Sequence, residues 1–366
     1  MPPKNKEQTP LLSICYSCYN VSKYIRSSLD SLLDDFVKNS SDIEILLIDD
    51  CSPDSGKTLK IEQEFADKYK NIKLIKNNEN IGVSESRNKT IGLARGKYIT
   101  FPDPDDKYIN NAIKKIYDSL KNNDVDILVT GLVERHLDSK DKTSKLLEIN
   151  HESKILNNNK DIVKESVELE EKVLFGYVWN KFYKLSLIRK NNIKFNKNYT
   201  YIEDISFNID FCKVCNSMTI CNFPSIMYYR RLTKKESITA QYNANYFNEH
   251  YKRVEAFLNW WDSTSVLDDH SMNVLRQKYI RYSMSAVWRN YTKDSHMSTN
   301  EQITWIEDYY KLPLTKLLFK KQESTGLINK IFENYVIKQN TKGLIRIAKL
   351  IDFVTKHLSG LLITLR

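Results

Sequence analysis

Three carboxylates lie close together in the sequence at Asp103, Asp105 and Asp106, directly after the apolar run Tyr98–Phe101. Neighbouring carboxylates repel one another, and a hard divalent cation such as Mg²⁺ or Mn²⁺ relieves that repulsion because it prefers oxygen ligands. Mg²⁺ commonly completes its shell with phosphates and water, so a diphosphate is an expected co-ligand. The alternative is a solvated acidic turn, since Asp and Pro both favour turns. The segment is therefore a candidate metal site.

Two further pairs of acidic residues could take part in chemistry. Asp49-Asp50 follows the continuous apolar run Ile43–Ile48, and Glu203-Asp204 opens the helical pattern Ile202–Val214. A carboxylate in the first turn of a helix commonly serves only as a cap or compensates the helix dipole. The alternative role is that of a general base, which takes the proton from an attacking hydroxyl group. The residues alone favour the capping role.

Other candidate residues also allow two interpretations. Asn80-Ile81-Gly82 indicates a turn before a helix, and the N-terminus of that helix would favour an anion. Arg87, judged from this pattern alone, is a helix-surface arginine. Trp179 either forms part of a sugar or acceptor platform, since flat rings cover apolar sugar faces, or packs under the sheet.

The elements that carry these residues alternate between strands and helices. Hydrophobic periodicity predicts strands at 11–16, 43–48, 72–75, 98–101, 126–133 and 219–229, and helices at 24–37, 57–69, 83–94, 109–120 and 202–214. Residues 135–175 are predicted to be an insertion with short strands and a helix near 160–168. The alternation indicates an α/β fold with a mostly parallel sheet. Ligands bind at the carboxyl ends of such strands, so both acidic turns should share one rim.

Seven short motifs, in order over residues 11–240, resemble those of the family-two inverting glycosyltransferases, including bacterial teichoic acid and capsule enzymes. They are Leu12–Asn20, Ile48–Asp54, Asn80-Ile81-Gly82 with Ser86-Arg87-Asn88, Asp103–Asp106, Trp179–Lys184, Glu203-Asp204, and Tyr228-Tyr229-Arg230 with Ser237-Ile238-Thr239. Ser17 stands where the family usually has Pro, and Pro104 where it usually has a small residue. The resemblance implies the GT-A fold, a Rossmann-like, mostly parallel central sheet flanked by helices.

The resemblance also implies roles for the donor-binding residues. Asp49 would accept a hydrogen bond from the uracil of a UDP-sugar, and Asn80 and Arg87 would complete the nucleotide pocket. Asp103 would bind the ribose or the metal shell, and Asp105 would ligate Mn²⁺ or Mg²⁺ directly. Ser237 and the basic stretch at Arg230, Arg231, Lys234 and Lys235 would hold the diphosphate, unless that stretch is a solvated loop.

Asp204 aligns with the catalytic base of the family. A single carboxylate base with no opposing nucleophile implies one displacement and therefore inversion at the anomeric carbon. The implied activity is hexosyl or N-acetylhexosaminyl transfer to a hydroxyl group. Glu203 would orient the acceptor or the neighbouring loop.

The C-terminal part of the chain, from about residue 241, is predicted to be a second, mainly helical domain appended to a catalytic domain at 1–240. The formal net charge is +10 over 366 residues, and residues 241–366 hold 18 Lys+Arg against 12 Asp+Glu. A basic surface attracts polyanions, so an anionic cell-wall polymer, preferably wall teichoic acid, is the expected acceptor. Capsule, exopolysaccharide and glycolipid acceptors remain alternatives.

The amphipathic segment 343–366 has three predicted fates: packing within its own domain, a homo-oligomer interface, or peripheral membrane contact. No signal peptide or membrane-spanning run is visible, so the predicted location is cytoplasmic, at the inner face of the membrane if lipid is contacted. The two Cys-x-x-Cys pairs, at Cys15 and Cys212, are interpreted as reduced, buried thiols.

Rival classes of protein are less consistent with the motifs. A non-catalytic module that binds nucleotide sugar or glycan would lack the metal or base carboxylate, yet Asp105 and Asp204 are both present. No nucleic-acid partner is expected, because no nucleic-acid-binding signature accompanies the positive charge. The first strand-to-helix turn lacks the Gly-x-Gly-x-x-Gly pattern of a dinucleotide-dependent oxidoreductase.

Overall fold

The apolar run after residue 42 forms strand β2 (Ile43–Asp49) in the computed structural model of the chain, and all seven of its residues are buried. Strands β1 (Leu12–Cys18) and β3 (Ile72–Lys76) pair with it in parallel on either side. Full burial is expected for a parallel strand that helices cover on both faces. The structure describes residues 9–137, 142–231, 242–324 and 326–357.

Seven more strands complete the sheet: β4 (Tyr98–Thr100), β5 (Lys107–Tyr108), β6 (Ile127–Leu137), β7 (Thr143–Ile149), β8 (Lys154–Leu156), β9 (Lys181–Lys184) and β10 (Met218–Arg231). Their order is β3-β2-β1-β4-β9-β6-β10-β5, with β7 on β6 and β8 on β10. β4 continues the parallel arrangement from β1, β6 and β10 are also parallel, and β9 runs antiparallel between β4 and β6. The predicted α/β class with a mostly parallel central sheet is confirmed, and the structure adds that the sheet is mixed, because β5, β7, β8 and β9 pair antiparallel.

Eight helices belong to this first unit, Met1–Thr233: α1 (Ile25–Leu32), α2 (Asp35–Asn39), α3 (Lys57–Lys68), α4 (Gly82–Leu93), α5 (Ala112–Asn122), α6 (Asn159–Glu171), α7 (Leu185–Lys190) and α8 (Glu203–Val214). The single helix predicted at 24–37 is wrong. Helix α1 ends before Leu33, and a separate helix, α2, begins at Asp35. The carboxylate of Asp34 caps α2 by accepting the Val37 N–H at 2.9 Å. Asp competes with helix continuation in this way because capping satisfies a free N–H group.

The Cys-x-x-Cys pairs are buried, Cys15 and Cys18 in β1 and Cys212 and Cys215 at the end of α8. Burial raises the pKa of all four thiols. Because raised pKa values favour the neutral thiol over the thiolate that zinc binds, these residues behave as small apolar side chains.

The second unit, Lys234–Arg366, is helical throughout its described part. Its helices are α9 (Tyr246–Ser263), α10 (Asp269–Tyr291), α11 (Thr299–Lys311), α12 (Pro313–Leu318), α13 (Leu327–Ile337) and α14 (Thr341–His357). Trp260 and Trp261 are buried, whereas Trp288 and Trp305 are half-buried. In α10, Arg276 donates to the Leu318 carbonyl at 2.9 Å and pairs with Glu323.

The predicted amphipathic segment 343–366 begins within α14. Leu344 and Ile347 are buried, and α14 packs against α10 and α13 of its own unit, whereas Leu350 and Phe353 are exposed. Ile351 and Val354 of the same helix are half-buried, and residues 358–366 lie outside the described residues. Within the described ranges, no helix combines the length and the apolar character needed to cross a membrane. The cytoplasmic location stays a prediction.

Candidate active site

One buried arginine joins the acidic residues of two separate elements. Arg87, on α4, is 4% exposed. Its Nη1 donates to Oδ1 of Asp204 at 2.5 Å, its Nη2 donates to Oδ1 of Asp103 at 3.1 Å, and Oε1 of Glu203 lies 3.8 Å from Nη1. The turn after β4 and the N-terminus of α8 therefore converge on one guanidinium group. The surface position that the pattern alone indicated for Arg87 is wrong.

The charges within this cluster are strongly coupled. Burial disfavours the charged guanidinium, but attraction to Asp204, Asp103 and Glu203 outweighs it and raises the pKa of Arg87. Burial, with repulsion from Asp204 and Asp105, raises the pKa of Asp103 to about 7. Burial and the neighbouring Asp204 raise the pKa of Glu203 to about 8. The cluster thus sets three carboxyl groups around one guanidinium group, and each carboxyl group holds its proton more tightly than usual.

Asp204 interacts with two cations and a backbone N–H group. Burial raises its pKa, while attraction to Arg87 and Lys181 and a hydrogen bond from the Val178 backbone act in the opposite direction. The net effect is a carboxylate whose proton affinity is higher than usual, with hydrogen bonds that fix its orientation. Such a group is suited to accept a proton from a hydroxyl group.

The turn after β4 offers two of its three carboxylates to a ligand. Asp106 is buried and accepts the Tyr229 N–H at 3.1 Å, so it anchors the turn to β10. Asp103 and Asp105 are half-buried. Their oxygen donor set, and the repulsion between them that raises the pKa of Asp103, fit a hard divalent cation.

The end of β2 forms the second acidic turn on the same rim. Asp49 is 5% exposed, and its Oδ1 accepts the Ser52 hydroxyl at 2.6 Å. Asp50 accepts the N–H groups of Ile81 and Gly82 at 2.9 and 2.8 Å. Asp50 therefore connects β2 to the start of α4. The sequence did not indicate that Asp50 and the adjacent Asp49 would have different roles.

Asn80 lies in the loop that Asp50 holds. Its side chain is exposed, and its Oδ1 accepts the Gly82 N–H at 3.0 Å, so the predicted turn before a helix is confirmed. Gly82 has a φ of 83°, a left-handed conformation that glycine adopts without strain. The structure thus brings Asn80 and Asp49 to the edge from which α4 carries Arg87 inward.

Lys181, which the sequence placed only within a motif, is a fully buried cation. Its Nζ donates to the carbonyls of Leu174 and Tyr177 at 2.8 and 2.6 Å and to Oδ1 of Asn180 at 3.0 Å. Burial lowers the pKa of its ammonium group to about 7. These bonds fix segment 174–178, whose Val178 N–H reaches Asp204.

Trp179 lies beside this segment but is only 1% exposed. Its ring stacks on Tyr177 at 4.5 Å and on Tyr228 at 5.9 Å between centroids. A sugar platform needs an accessible ring face, so the structure favours the packing role over the platform role.

The predicted diphosphate-binding residues cannot be located in the same way. Ser237, Lys234 and Lys235 lie outside the described residues, and so do the side chains of Arg230 and Arg231. Their roles stay predictions.

Comparisons with known proteins bear on the class of protein to which this α/β fold belongs. The sequence model of glycosyl transferase family 2 matches residues 13–216, more than half of the chain. The chain belongs to this family.

The chain is also similar to individual relatives and to a solved structure. The uncharacterized glycosyltransferase EpsJ of Bacillus subtilis (strain 168) is 32% identical over 202 residues, 55% of each chain, so the match spans about half of that relative's length. The poly(ribitol-phosphate) beta-N-acetylglucosaminyltransferase TarP of Staphylococcus aureus (strain N315) is 25% identical, covering 82% of this chain and 87% of TarP.

The solved structure is that of S. aureus TarS 1–349 in complex with UDP-GlcNAc. It matches with a TM-score of 0.61 at 18% identity, over 92% of this chain and 90% of that chain. This match confirms the predicted GT-A-like fold together with a helical C-terminal region.

Proposed function

We propose that this chain transfers a sugar from a UDP-sugar to a hydroxyl group of an anionic cell-wall polymer, with inversion at the anomeric carbon. The observation that carries the proposal is the bridge from Asp103 through Arg87 to Asp204. Through this bridge, the candidate metal-binding turn and the candidate base contact the same guanidinium group. A sugar bound between them would have a leaving group on one side and an acceptor on the other.

The donor end of this site is the rim formed by β2, α4 and the turn after β4. Asp49 would accept the N–H of uracil, as the family resemblance implies, and Asp103 and Asp105 would hold Mn²⁺ or Mg²⁺. A bound divalent cation would offset the negative charge that develops on the departing diphosphate. The UDP-GlcNAc held by TarS supports a UDP-sugar as the donor.

The acceptor end is the start of α8. Asp204 would take the proton of the acceptor hydroxyl while that oxygen bonds to the anomeric carbon and the bond from carbon to the diphosphate oxygen breaks. Arg87 would keep Asp204 ionised, since an opposite charge at hydrogen-bond distance favours the charged form. One base with no nucleophile on the opposite face gives a single displacement, which inverts the configuration.

The acceptor class is supported by two independent features. TarP is named for transfer to poly(ribitol-phosphate), and this chain carries a formal net charge of +10. A cationic protein concentrates a polyanionic substrate at its surface. Wall teichoic acid of the poly(alditol phosphate) type is therefore the acceptor that we propose.

The test is to incubate the protein with a panel of nucleotide sugars, Mn²⁺ or Mg²⁺ and poly(ribitol phosphate), and to measure released UDP. Asp204→Asn should retain UDP-sugar affinity and lose about 10²- to 10⁴-fold in turnover, the usual contribution of a general base. Asp105→Ala should also weaken metal-dependent binding of the donor.

Asp210→Asn is a matched control because Asp210 lies on the same helix, its side chain is 48% exposed, and it pairs with Lys213 at the surface. Its turnover should stay within about twofold of wild type, as surface ion pairs contribute little. Normal turnover by Asp204→Asn would remove the assignment of the base. The absence of UDP release with every donor would remove the proposed activity.

A further inference from the structure

A cleft of about 550 Å³ lies beside the candidate active site, between α4 and the segment that precedes α8. Its lining includes Glu85, Lys89, Lys194, Asn196, Lys197 and Asn198. Ile81 and Asn88, on the α4 side, also line the cleft and belong to the motif that the family resemblance assigned to the donor, whereas the other lining residues lie outside the motifs. The cleft is large enough to hold a phosphate group with part of an attached polyol.

The wall formed by segment 194–198 is fixed in place by α4. Asn88 donates its Nδ2 to the Phe195 carbonyl at 2.9 Å and accepts the Phe195 N–H at 2.8 Å. Ser84 adds a hydrogen bond to the Asn196 carbonyl at 3.3 Å. The cleft is therefore a formed feature of the first unit and not a gap beside a loose loop.

The charge of the cleft is positive. Three lysines and one glutamate line it. Lys89 is held by Oδ1 of Asn77 at 2.6 Å, while Lys194 and Lys197 are exposed and form no ion pair with any residue in the described ranges. The side-chain amides of Asn196 and Asn198 add N–H donors to the same wall. This combination of ammonium and amide donors suits a phosphate oxyanion.

The cleft is also connected to the proposed base. Phe195, in its wall, lies under Arg87, with 5.2 Å between the guanidinium carbon and the ring centroid. The same guanidinium group donates to Asp204. A single side chain thus separates the cleft wall from the carboxylate that would activate the acceptor.

We infer that this cleft binds a phosphodiester group of the acceptor polymer while a neighbouring hydroxyl group meets Asp204. The inference rests on the proposed function, which it deepens by assigning acceptor recognition to the catalytic unit itself. Lys194 and Lys197 supply the attraction, and Asn196 and Asn198 supply directed hydrogen bonds. The ligand class is a linear phosphodiester of a polyol.

The test uses the double variant Lys194→Ala/Lys197→Ala of the full chain, with Lys190→Ala as the matched control. Lys190 is an exposed lysine of α7 that does not line the cleft. With a synthetic poly(ribitol phosphate) oligomer, the double variant should raise the acceptor KM about four- to 25-fold, the product of about two- to fivefold for each exposed charge. The donor KM and kcat should not change, and Lys194→Arg/Lys197→Arg should restore the acceptor KM.

A second measurement separates this inference from the proposed function. Calorimetric binding of the same oligomer to an Asp204→Asn protein, with and without the two lysine changes, needs no turnover. A weaker Kd in the lysine variant supports the cleft even if no sugar transfer is ever detected. An unchanged Kd overturns the inference. So does an equal loss of UDP affinity, which would assign the cleft to the donor, or full competition by inorganic phosphate alone, which would indicate a simple anion site.

Discussion

Replacing Arg87 by Met should shift the pH dependence of turnover as well as its magnitude. Asp204 loses a cation that donates to it at 2.5 Å, and loss of an opposite charge at this range raises a carboxyl pKa by about 1–3 units. Burial already raises the pKa of Asp204, so the change adds to an existing upward shift. The acid limb of kcat/KM should therefore move about 1–3 pH units upward, because the base must be ionised to accept a proton.

Stability gives a second readout of the same change. Removing the cation from a buried charge cluster costs about 3–5 kcal/mol. We expect the lower end, about 3 kcal/mol, because the side chains of Glu203, Asp204 and Asp103 keep 15%, 19% and 35% exposure. The control Arg26→Met breaks an exposed pair with Glu64 and should leave stability nearly unchanged, because surface ion pairs contribute little.

The pH dependence of that stability follows from the raised carboxyl pKa values. Asp103 titrates at about 7 and Glu203 at about 8 in the folded chain, above the values near 4 of an unfolded chain. The folded state therefore binds more protons, and stability falls as pH rises from about 4 towards 8. Without Arg87 both pKa values rise further, so the variant should lose more stability than wild type over this range.

The assays are UDP release between about pH 5 and 9 and urea unfolding over the same range. Arg87→Lys keeps a charge but loses the two-pronged geometry, so its acid limb should lie between those of wild type and Arg87→Met. If the acid limbs of Arg87→Met and wild type coincide, Arg87 does not keep the base ionised, and the reasoning is refuted.

Three other changes probe the supports of the site. In Asp50→Asn an NH2 group replaces one carboxylate oxygen, so one of the two N–H groups at the start of α4 loses its acceptor. We therefore expect about 1–3 kcal/mol lower stability in urea and weaker UDP binding by calorimetry. Lys181→Met leaves the Leu174 and Tyr177 carbonyls without their donor, which should lower stability by about 1–3 kcal/mol and reduce kcat more than donor KM. Removal of divalent ions by EDTA should abolish donor binding by the wild type, and Mn²⁺ should restore it; binding that survives EDTA would contradict the metal assignment of Asp103 and Asp105.

Much of the fold follows from short-range pattern. Fully apolar runs separated by amphipathic segments predict parallel strands, and the strands that end at Asp49 and Thr100 indeed place both acidic turns on one rim. Helix boundaries were less predictable where a local hydrogen bond competes with the apolar period. Asp34 shows this, because its capping bond ends a helix that the spacing of apolar residues would continue.

The centre of the site could not be derived from pattern alone. Arg87 is buried only because the turn after β4 and the start of α8, more than 100 residues further along the chain, meet beside α4. Lys181 likewise contacts backbone carbonyls that no periodicity marks. The burial of Arg87 and Lys181 therefore depends on segments that are distant in the sequence and meet in the fold. The motifs indicated these two residues only through the family resemblance. The motifs could not indicate the cleft at Lys194, since they contain only Ile81 and Asn88 on its α4 side and nothing of the wall at 194–198.

The paired hydrogen bonds of Asn88 have a consequence for how acceptor preference can change. The Asn88 amide uses one of its two N–H donors and its oxygen to bond the carbonyl and the N–H of Phe195, as the backbone of a neighbouring β-strand would. These hydrogen bonds involve only backbone atoms of Phe195, so they do not depend on the side chains at the neighbouring positions. Under the proposed acceptor assignment, exchanging residues 194 and 197 should change which polymer charge is preferred, while Phe195, Arg87 above it and Asp204 keep their places.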